Sequence, residues 1–523
     1  MPSRLRIYLV LLIVALPLSA PAQQKAAAKN RPAPASATST RLEQALGFAE
    51  KGDLPRATEL LRQLVAERPR NVAARRALGR VLSMAGNLID AERELRSAVA
   101  LSPNDAAAHD ELGSVLAQQR QYDFAIEQFK TAIRLQPAYA AAHLHYGVAL
   151  WSTADLNAAL PELRRATELD PKNPQGHDYY SQALEDAGKH SLALAQIEQA
   201  AELNPTSSSI QRRLGLFAQR AGEPEKAVAA FQWVSESEPE NADAQNDLGL
   251  ALLQAGHADQ AIVALRKAAD LRPDDAAYRE NLGVALLQRS DFASAEAEFR
   301  RALQLAPQSA HLHYNLGVAL KLQDKVADAT AELRQALALD PGLTDAHYTL
   351  GVALWQTGDF DTAAAELRAA IQSKPDYAEA YYTLGTVLKQ ADKPTEAAEA
   401  LRQAIKLQPD FAGAHTTLAA VLQQLGDADG AAIERKAATQ IAQTNTNLQA
   451  ARFNTNSGIR MLTAGDLEGA LTQFQSAVRI SPQYAPAHFQ LAVVLERKGE
   501  TSAARAEYKK ASELDPRLQP PIH

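Results

Sequence analysis

The feature that most constrains this chain is the spacing of its prolines. From Pro69 to Pro409 a proline stands every 34 residues, and Pro482 and Pro516 repeat the step after one slip. Other columns keep the same step. Alanine occupies Ala57, Ala91 and onward to Ala431, then Ala470 and Ala504, so all 14 repeats carry it. A second small column runs through Ala98, Ala132, Ala166 and Ala200, then from Ala268 to Ala511, with Leu64 and Val234 as exceptions. A third holds Gly79, Gly113, Gly147, Gly215, Gly249, Gly283, Gly317, Gly351, Gly385 and Gly458, with Ala45, Ser181, Ala419 and Ala492 in the other four places.

Each repeat contains two apolar patterns of helical period, separated by a polar break such as Gln356–Asp359. This predicts two helices per repeat. The Gly and Ala columns mark where helix axes approach closely, because a larger side chain would hold them apart. Proline cannot continue a helix interior, and it biases the residue before it away from the α region, so the Pro column closes each second helix. Leu316, Leu350 and Leu384, with Phe299, Leu333, Leu367 and Leu401, fill the space between.

The period, with Leu316-Gly317, Ala329, Leu333, Ala336 and Pro341, resembles the tetratricopeptide repeat family over roughly residues 38–518. The resemblance implies an all-α fold: a right-handed superhelical solenoid of antiparallel helix pairs, with first helices lining a concave groove where peptides bind. One departure is the aromatic residue near the start of the first helix. Here that column holds His109, His143, His177, His313, His347, Tyr381, His415 and His488. The period overrides what a length of 523 residues would suggest about separate globular domains, since stacked repeats share one continuous core.

Residues 1–22 read as a secretory signal peptide: Arg4 and Arg6 precede an apolar run from Ile7 to Leu18, and Ala20-Pro21-Ala22 offers a cleavage site. The alternative, a membrane anchor, needs a run of about 20 residues. Residues 23–38 are an Ala/Pro/Lys linker. An exported protein in the periplasm or outside the cell is the expectation. The absence of cysteine fits export and removes thiolate and zinc-thiolate chemistry. The net charge of −7, about −9 without Arg4 and Arg6, argues against a nucleic-acid scaffold, which would need a basic stripe.

Repeats 1–12 span residues 39–443. The twelfth is odd in its second helix, with Arg435 in the bulky column and Gln443 in the Pro column. An extended helix is expected near 430–443, and a spacer or irregular boundary at 444–450. Repeats 13 and 14 follow at 451–518, with a tail at 519–523. The polar final helix, Ser502–Leu514, is expected to cap the array itself.

Chemistry is sparse. Seven of 12 histidines fall in one repeat column, which is what packing produces, and the His143/His145 and His311/His313 pairs do not share a helix face. No metal, cofactor or catalytic site is expected, and LGVAL reads as a packing element inside a helix. Asn281 and Asn315 stand where some members of the family bind a ligand carboxylate, but their neighbours Asp247 and Thr349 leave that set incomplete.

The groove columns carry the functional expectation. Positions i, i+4 and i+7 share one helix face. They place Tyr314, Val318 and Lys321 together in one repeat, Tyr348, Val352 and Trp355 in the next, and Tyr382 and Lys389 in the third. Aromatic anchors rimmed by charge are the composition of a binding hot spot. Leu144, Val148 and Trp151 suggest a secondary patch. A non-catalytic scaffold holding protein or peptide ligands in the cell envelope is the leading reading. A subunit that regulates or feeds an envelope enzyme, a carbohydrate-binding solenoid, and self-association through terminal repeats stay open.

Overall fold

The computed structural model describes residues 37–519. Among these there are 27 α-helices and no strand. The signal peptide expected at 1–22 and most of the linker at 23–38 lie outside the described residues, as does all of the 519–523 tail except Gln519. The first helix, Ala37–Glu50, begins inside the end of that linker. The chain divides into two compact bodies, Met1–Arg272 and Pro273–His523. Among the described residues no helix is long and apolar enough to cross a membrane.

Both bodies are built from one helical hairpin. In the repeat around Gly317 the first helix is Ala310–Leu322 and the second Val326–Leu339. Ser309 caps the first helix by accepting a hydrogen bond from the Leu312 amide. The turn between helices needs one left-handed residue. Nine repeats supply glycine there, and Arg120, Ala154, Ser290, Asp324 and Asp392 adopt the same positive φ without it. The glycine inside the first helix answers a different need. A Cβ built on Gly317 would sit 2.8 Å from Leu333 Cγ, and one on Gly215 2.6 Å from Phe231 Cζ. The second helix therefore rests directly on the backbone of the first, and Leu333, Leu367, Leu401, Phe231 and Phe299 are fully enclosed.

The histidine column is a tie between three parts of each repeat. His347 Nε2 lies 3.1 Å from the Pro341 carbonyl, six residues back, and Nδ1 lies 2.6 Å from Glu366, nineteen residues on in the second helix. His109, His143, His177, His313, His415 and His488 repeat both contacts, with Gln128 and Gln196 replacing the glutamate for His109 and His177. Arg75 and Arg279 make the same tie with a guanidinium, to Pro69 and Glu94 and to Pro273 and Glu298. A carbonyl and a carboxylate are both acceptors. The glutamate ties are therefore complete only when both ring nitrogens carry a proton, whereas a glutamine amide can turn to serve either tautomer.

The stack in the C-terminal body is interrupted at the twelfth repeat. One helix of 36 residues, Ala428–Thr463, serves as the second helix of repeat 12 and the first of repeat 13. Residues 444–450, expected to form a spacer or irregular boundary, are helical. No Pro or Gly stops the chain there, and each of Thr439, Thr444 and Thr446 bonds the carbonyl four residues back. The packing columns show why the two halves of this helix do not fold back and stack on one another as separate helices. Arg435 stands where other repeats bury Leu, Ile, Phe or Tyr, Ser457 where Leu316, Leu350, Leu418 and Leu491 are buried, and Arg460 where they bury Ala319, Ala353, Val387 or Val494. Burying these side chains against a neighbour would cost far more than leaving them in water. Phe453 is left 67 % exposed at a position where Ala346, Ala380 and Ala414 are buried.

Candidate functional site

Within each body neighbouring first helices touch, and their contacts follow one register. A residue on one first helix meets the residue 35 positions later on the next. In the N-terminal body this row is ionic. Arg76 forks onto Glu111 with two bonds of 2.8 Å, His145 bonds Asp110 at 2.8 Å, Arg213 pairs with Asp178 at 2.7 Å, and Arg220 with Glu185 at 2.8 Å. In the C-terminal body the contacts in the same register are hydrogen bonds rather than ion pairs. Asn315 donates to Glu280 at 2.9 Å, Tyr348 Oη lies 3.5 Å from Thr383 Oγ1, and the Trp355 indole N–H donates to Gln390 at 2.7 Å.

The C-terminal row holds the predicted groove residues. Ala310–Leu322 presents Tyr314, Val318 and Lys321; Thr344–Gln356 presents Tyr348, Val352 and Trp355; Ala378–Gln390 presents Tyr382 and Lys389. All eight are half-buried. The rings of Tyr314, Tyr348, Trp355 and Tyr382 rest on one apolar core. Burial raises the Tyr314 phenol above its ordinary value even though its hydrogen bond with Thr349 lowers it. With the polar tips of Tyr314, Tyr348 and Trp355 held by the next repeat and the Tyr382 ring against Phe411, these rings are fixed before any ligand arrives, which reduces the ordering cost of binding.

Two aromatic residues missed in the sequence reading complete the row. Tyr377 stacks obliquely on Tyr348 at 5.1 Å between centroids, and Phe411 on Tyr382 at 4.7 Å. Both stand two residues after a column proline, in the loop that enters the next first helix, and Leu343 holds the matching place beside Tyr314. Lys374 Nζ lies 4.7 Å over the Tyr377 ring. Burial and the neighbouring Tyr348 push the Tyr377 phenol up to about 12. The signal was the residue column at Pro+2, which reads as turn sequence until the loop is seen folding back.

Lys321 and Lys389 sit in the last turns of their helices, where a cation complements the helix dipole. Neither side chain has a hydrogen-bond or ion-pair partner among the described residues. Burial pushes the Lys321 ammonium below its ordinary value. Asn315 gives its amide to Glu280 and Asn281 is also engaged, so neither stands free for a ligand carboxylate.

The secondary patch is a correction. Leu144, Val148 and Trp151 are only 4 %, 7 % and 7 % exposed, members of the core rather than an offered surface. Ile126, Tyr146, Tyr179 and Tyr180 pack against the same cluster, and the Trp151 indole N–H is spent on Asp186 at 2.9 Å.

Sequence-family models described as tetratricopeptide repeat match residues 48–112, 111–174, 213–276, 246–310, 280–344, 320–388, 378–411 and 461–523. No curated protein matches the sequence. Among solved structures, YrrB, described as a TPR protein with an unusual peptide-binding site, is 26 % identical. It covers 36 % of this chain and 97 % of its own, with a TM-score of 0.32. MamA is 25 % identical over 32 % of this chain and 96 % of its own, TM-score 0.31. A tetratricopeptide repeat protein from Parabacteroides merdae ATCC 43184 is 16 % identical over 48 % of this chain and 98 % of its own, TM-score 0.40. The family models alone carry the family assignment.

Proposed function

The chain belongs to the tetratricopeptide repeat family, and on that premise we propose that it is a non-catalytic, exported scaffold whose C-terminal aromatic row grips a peptide segment of a partner in the cell envelope. The observation that supports this most is the fixed set of rings: Tyr314, Tyr348, Trp355 and Tyr382 stand on three adjacent helices, each braced from beneath, with Val318 and Val352 between them. Such a row offers apolar contact area whose rotamers are already set. Lys321 and Lys389 rim it without internal partners and give an approaching chain something to orient against. The export step rests on the leader-like residues 1–22, and the matching test is N-terminal sequencing of protein recovered from the cell envelope, expected to begin at Gln23.

The test of the row is selection from a displayed library of random peptides of about twelve residues on the immobilised protein. Enriched peptides should bind the wild type and lose at least tenfold in affinity on the double change Tyr348→Ala and Trp355→Ala, at unchanged helicity. Tyr348→Phe, which keeps the ring and loses only the weak bond to Thr383, should retain most of the binding. Peptides that ignore all three changes would remove the row from the account.

A further inference from the structure

Along the helix Ala428–Thr463 runs a ridge of side chains that neither of its two hairpins uses. The buried residues of this helix are Ala431 and Ala438 in the half that packs on Ala412–Gln424, and Ala451, Thr455 and Gly458 in the half that packs on Leu467–Ile480. At about 100° per residue, all five lie about 60° or more around the helix from Thr446. Steps of about 4, 7, 11 and 14 residues from Thr446, in either direction, return instead to within about 40° of it. These positions form one line about 42 Å long. Ala450 and Ser457 on it are half-buried and the rest are exposed.

The steps are the same in both directions, so a second copy of the helix laid antiparallel about Thr446 brings each position level with its mirror position. The side chains that meet are large with small, or small with small. Phe453, 67 % exposed, comes level with Thr439, Arg435 with Ser457, Arg460 with Ala432, and Ala442 with Ala450, while Thr446 meets its own copy. A two-fold contact must be self-complementary, with residue i meeting j and j meeting i. This ridge satisfies that condition along its whole length, and small residues at its centre let the axes approach closely. The centre is also less polar than its composition. Thr439 and Thr446 give their hydroxyls to the carbonyls of Arg435 and Ala442 in their own helix, which leaves the methyl groups for a neighbour. A closed repeat stack would enclose Arg435 as it encloses Leu401. A pair of helices leaves both edges of the ridge in water, so the arginine stems can lie over Ser457 and Ala432 while their heads stay hydrated.

We propose that this ridge is a dimer contact, in which two copies of the chain pair their Ala428–Thr463 helices antiparallel about a two-fold axis at Thr446. The contact lies inside the array and not at its terminal repeats.

The chain has no cysteine, so an added thiol is the only one present. Single-cysteine variants of the full chain, oxidised with copper phenanthroline and run on non-reducing gels, test the geometry. Thr446→Cys should form a disulfide dimer with itself. Ala442→Cys and Ala450→Cys should each fail to crosslink alone, because the two-fold sets like positions about 12 Å apart along the helix, but an equal mixture of the two should crosslink. Sedimentation velocity of the wild type over about 1–100 μM should show a monomer–dimer equilibrium. Phe453→Ala should weaken it at least tenfold. Thr446→Arg, which sets like charges on the axis at an exposed helical position, should abolish it at unchanged helicity. A wild type that stays monomeric over this range, which would assign the ridge to a different chain, would overturn the proposal. So would Ala442→Cys crosslinking to itself as readily as to Ala450→Cys, or a dimer that survives Thr446→Arg.

Discussion

Replacing Gly215 by alanine separates the two readings of a helical glycine, flexibility and contact. By propensity alone the change should stabilise the helix Ser208–Ala221 by about 1 kcal/mol. The geometry says otherwise. The new Cβ would stand 2.6, 2.7 and 2.7 Å from three atoms of the Phe231 ring, which is 1 % exposed and has nowhere to go. Forcing a methyl into a filled core costs about 1–3 kcal/mol, more where the neighbour is rigid. The net expectation is a local loss of up to about 2 kcal/mol, a factor of up to roughly 30 in the open population. Because stacked repeats open locally, hydrogen exchange by mass spectrometry over residues 208–237 is the assay, and exchange there should accelerate by that factor with distant repeats unaffected. The first repeat shows how the pair can be re-cut, since Ala45 there stands opposite a fully buried Leu61. Gly215→Ala combined with Phe231→Leu should therefore cost less than the sum of the two single changes. Slower exchange in Gly215→Ala would refute the reasoning, because it would mean the helices can separate freely and propensity governs.

Three further outcomes follow from the same geometry. Ala154 holds a φ of 65° where nine repeats use glycine, so Ala154→Gly should stabilise the N-terminal body by about 1 kcal/mol and raise its melting temperature by about 2–4 °C in calorimetry. His347→Ala should lose about 1–3 kcal/mol of local stability by stranding the Pro341 carbonyl and Glu366, and His347→Arg should recover much of it, as Arg75 and Arg279 show; exchange over 344–373 reads both. The His145 side chain is largely buried; burial alone would lower its pKa, but the charge and hydrogen bond of Asp110 outweigh that and raise it. Its contribution is therefore fully present below the unfolded value of about 6.5 and is lost as pH rises through the higher folded value. Melting curves between pH 5 and 9 should show that fall, flattened in His145→Gln, whose pair of neighbours Asp110 and Ser114 is otherwise unchanged.

Much of this architecture was open to reading because the hairpin writes its needs into fixed positions. Pro341 ends a helix for steric reasons and Gly317 makes room for Leu333, and neither depends on remote parts of the chain. The histidine column was visible, but its purpose was not, because Glu366 lies across the hairpin from His347 and a 19-residue spacing has no local meaning. The 35-residue register is a property of two stacked helices, so neither the burial of Trp151 under its bond to Asp186 nor the bracing of Trp355 by Gln390 could be read from one repeat. The break after repeat 12 was legible as polar residues in apolar columns, Arg435 above all. The extended helix near 430–443 was legible too, but its continuation through 444–450 was not, since Thr444–Asn447 are weak helix formers whose outcome depends on the helix entering from each side. For the candidate row the sequence showed the tyrosines and lysines. Tyr377 and Phe411 were hidden in turns that only the fold brings back onto the rings.

The most direct test of the central claim is photo-crosslinking in the protein's own cell. A photoreactive phenylalanine analogue at position 352, amid the aromatic row, should capture one dominant partner, and Tyr348→Ala should abolish that capture. The same probe at position 263, where Val263 is 70 % exposed on the second helix Ala258–Leu271, serves as the control. Capture at 352 that equals capture at 263, or that survives Tyr348→Ala undiminished, would contradict the account.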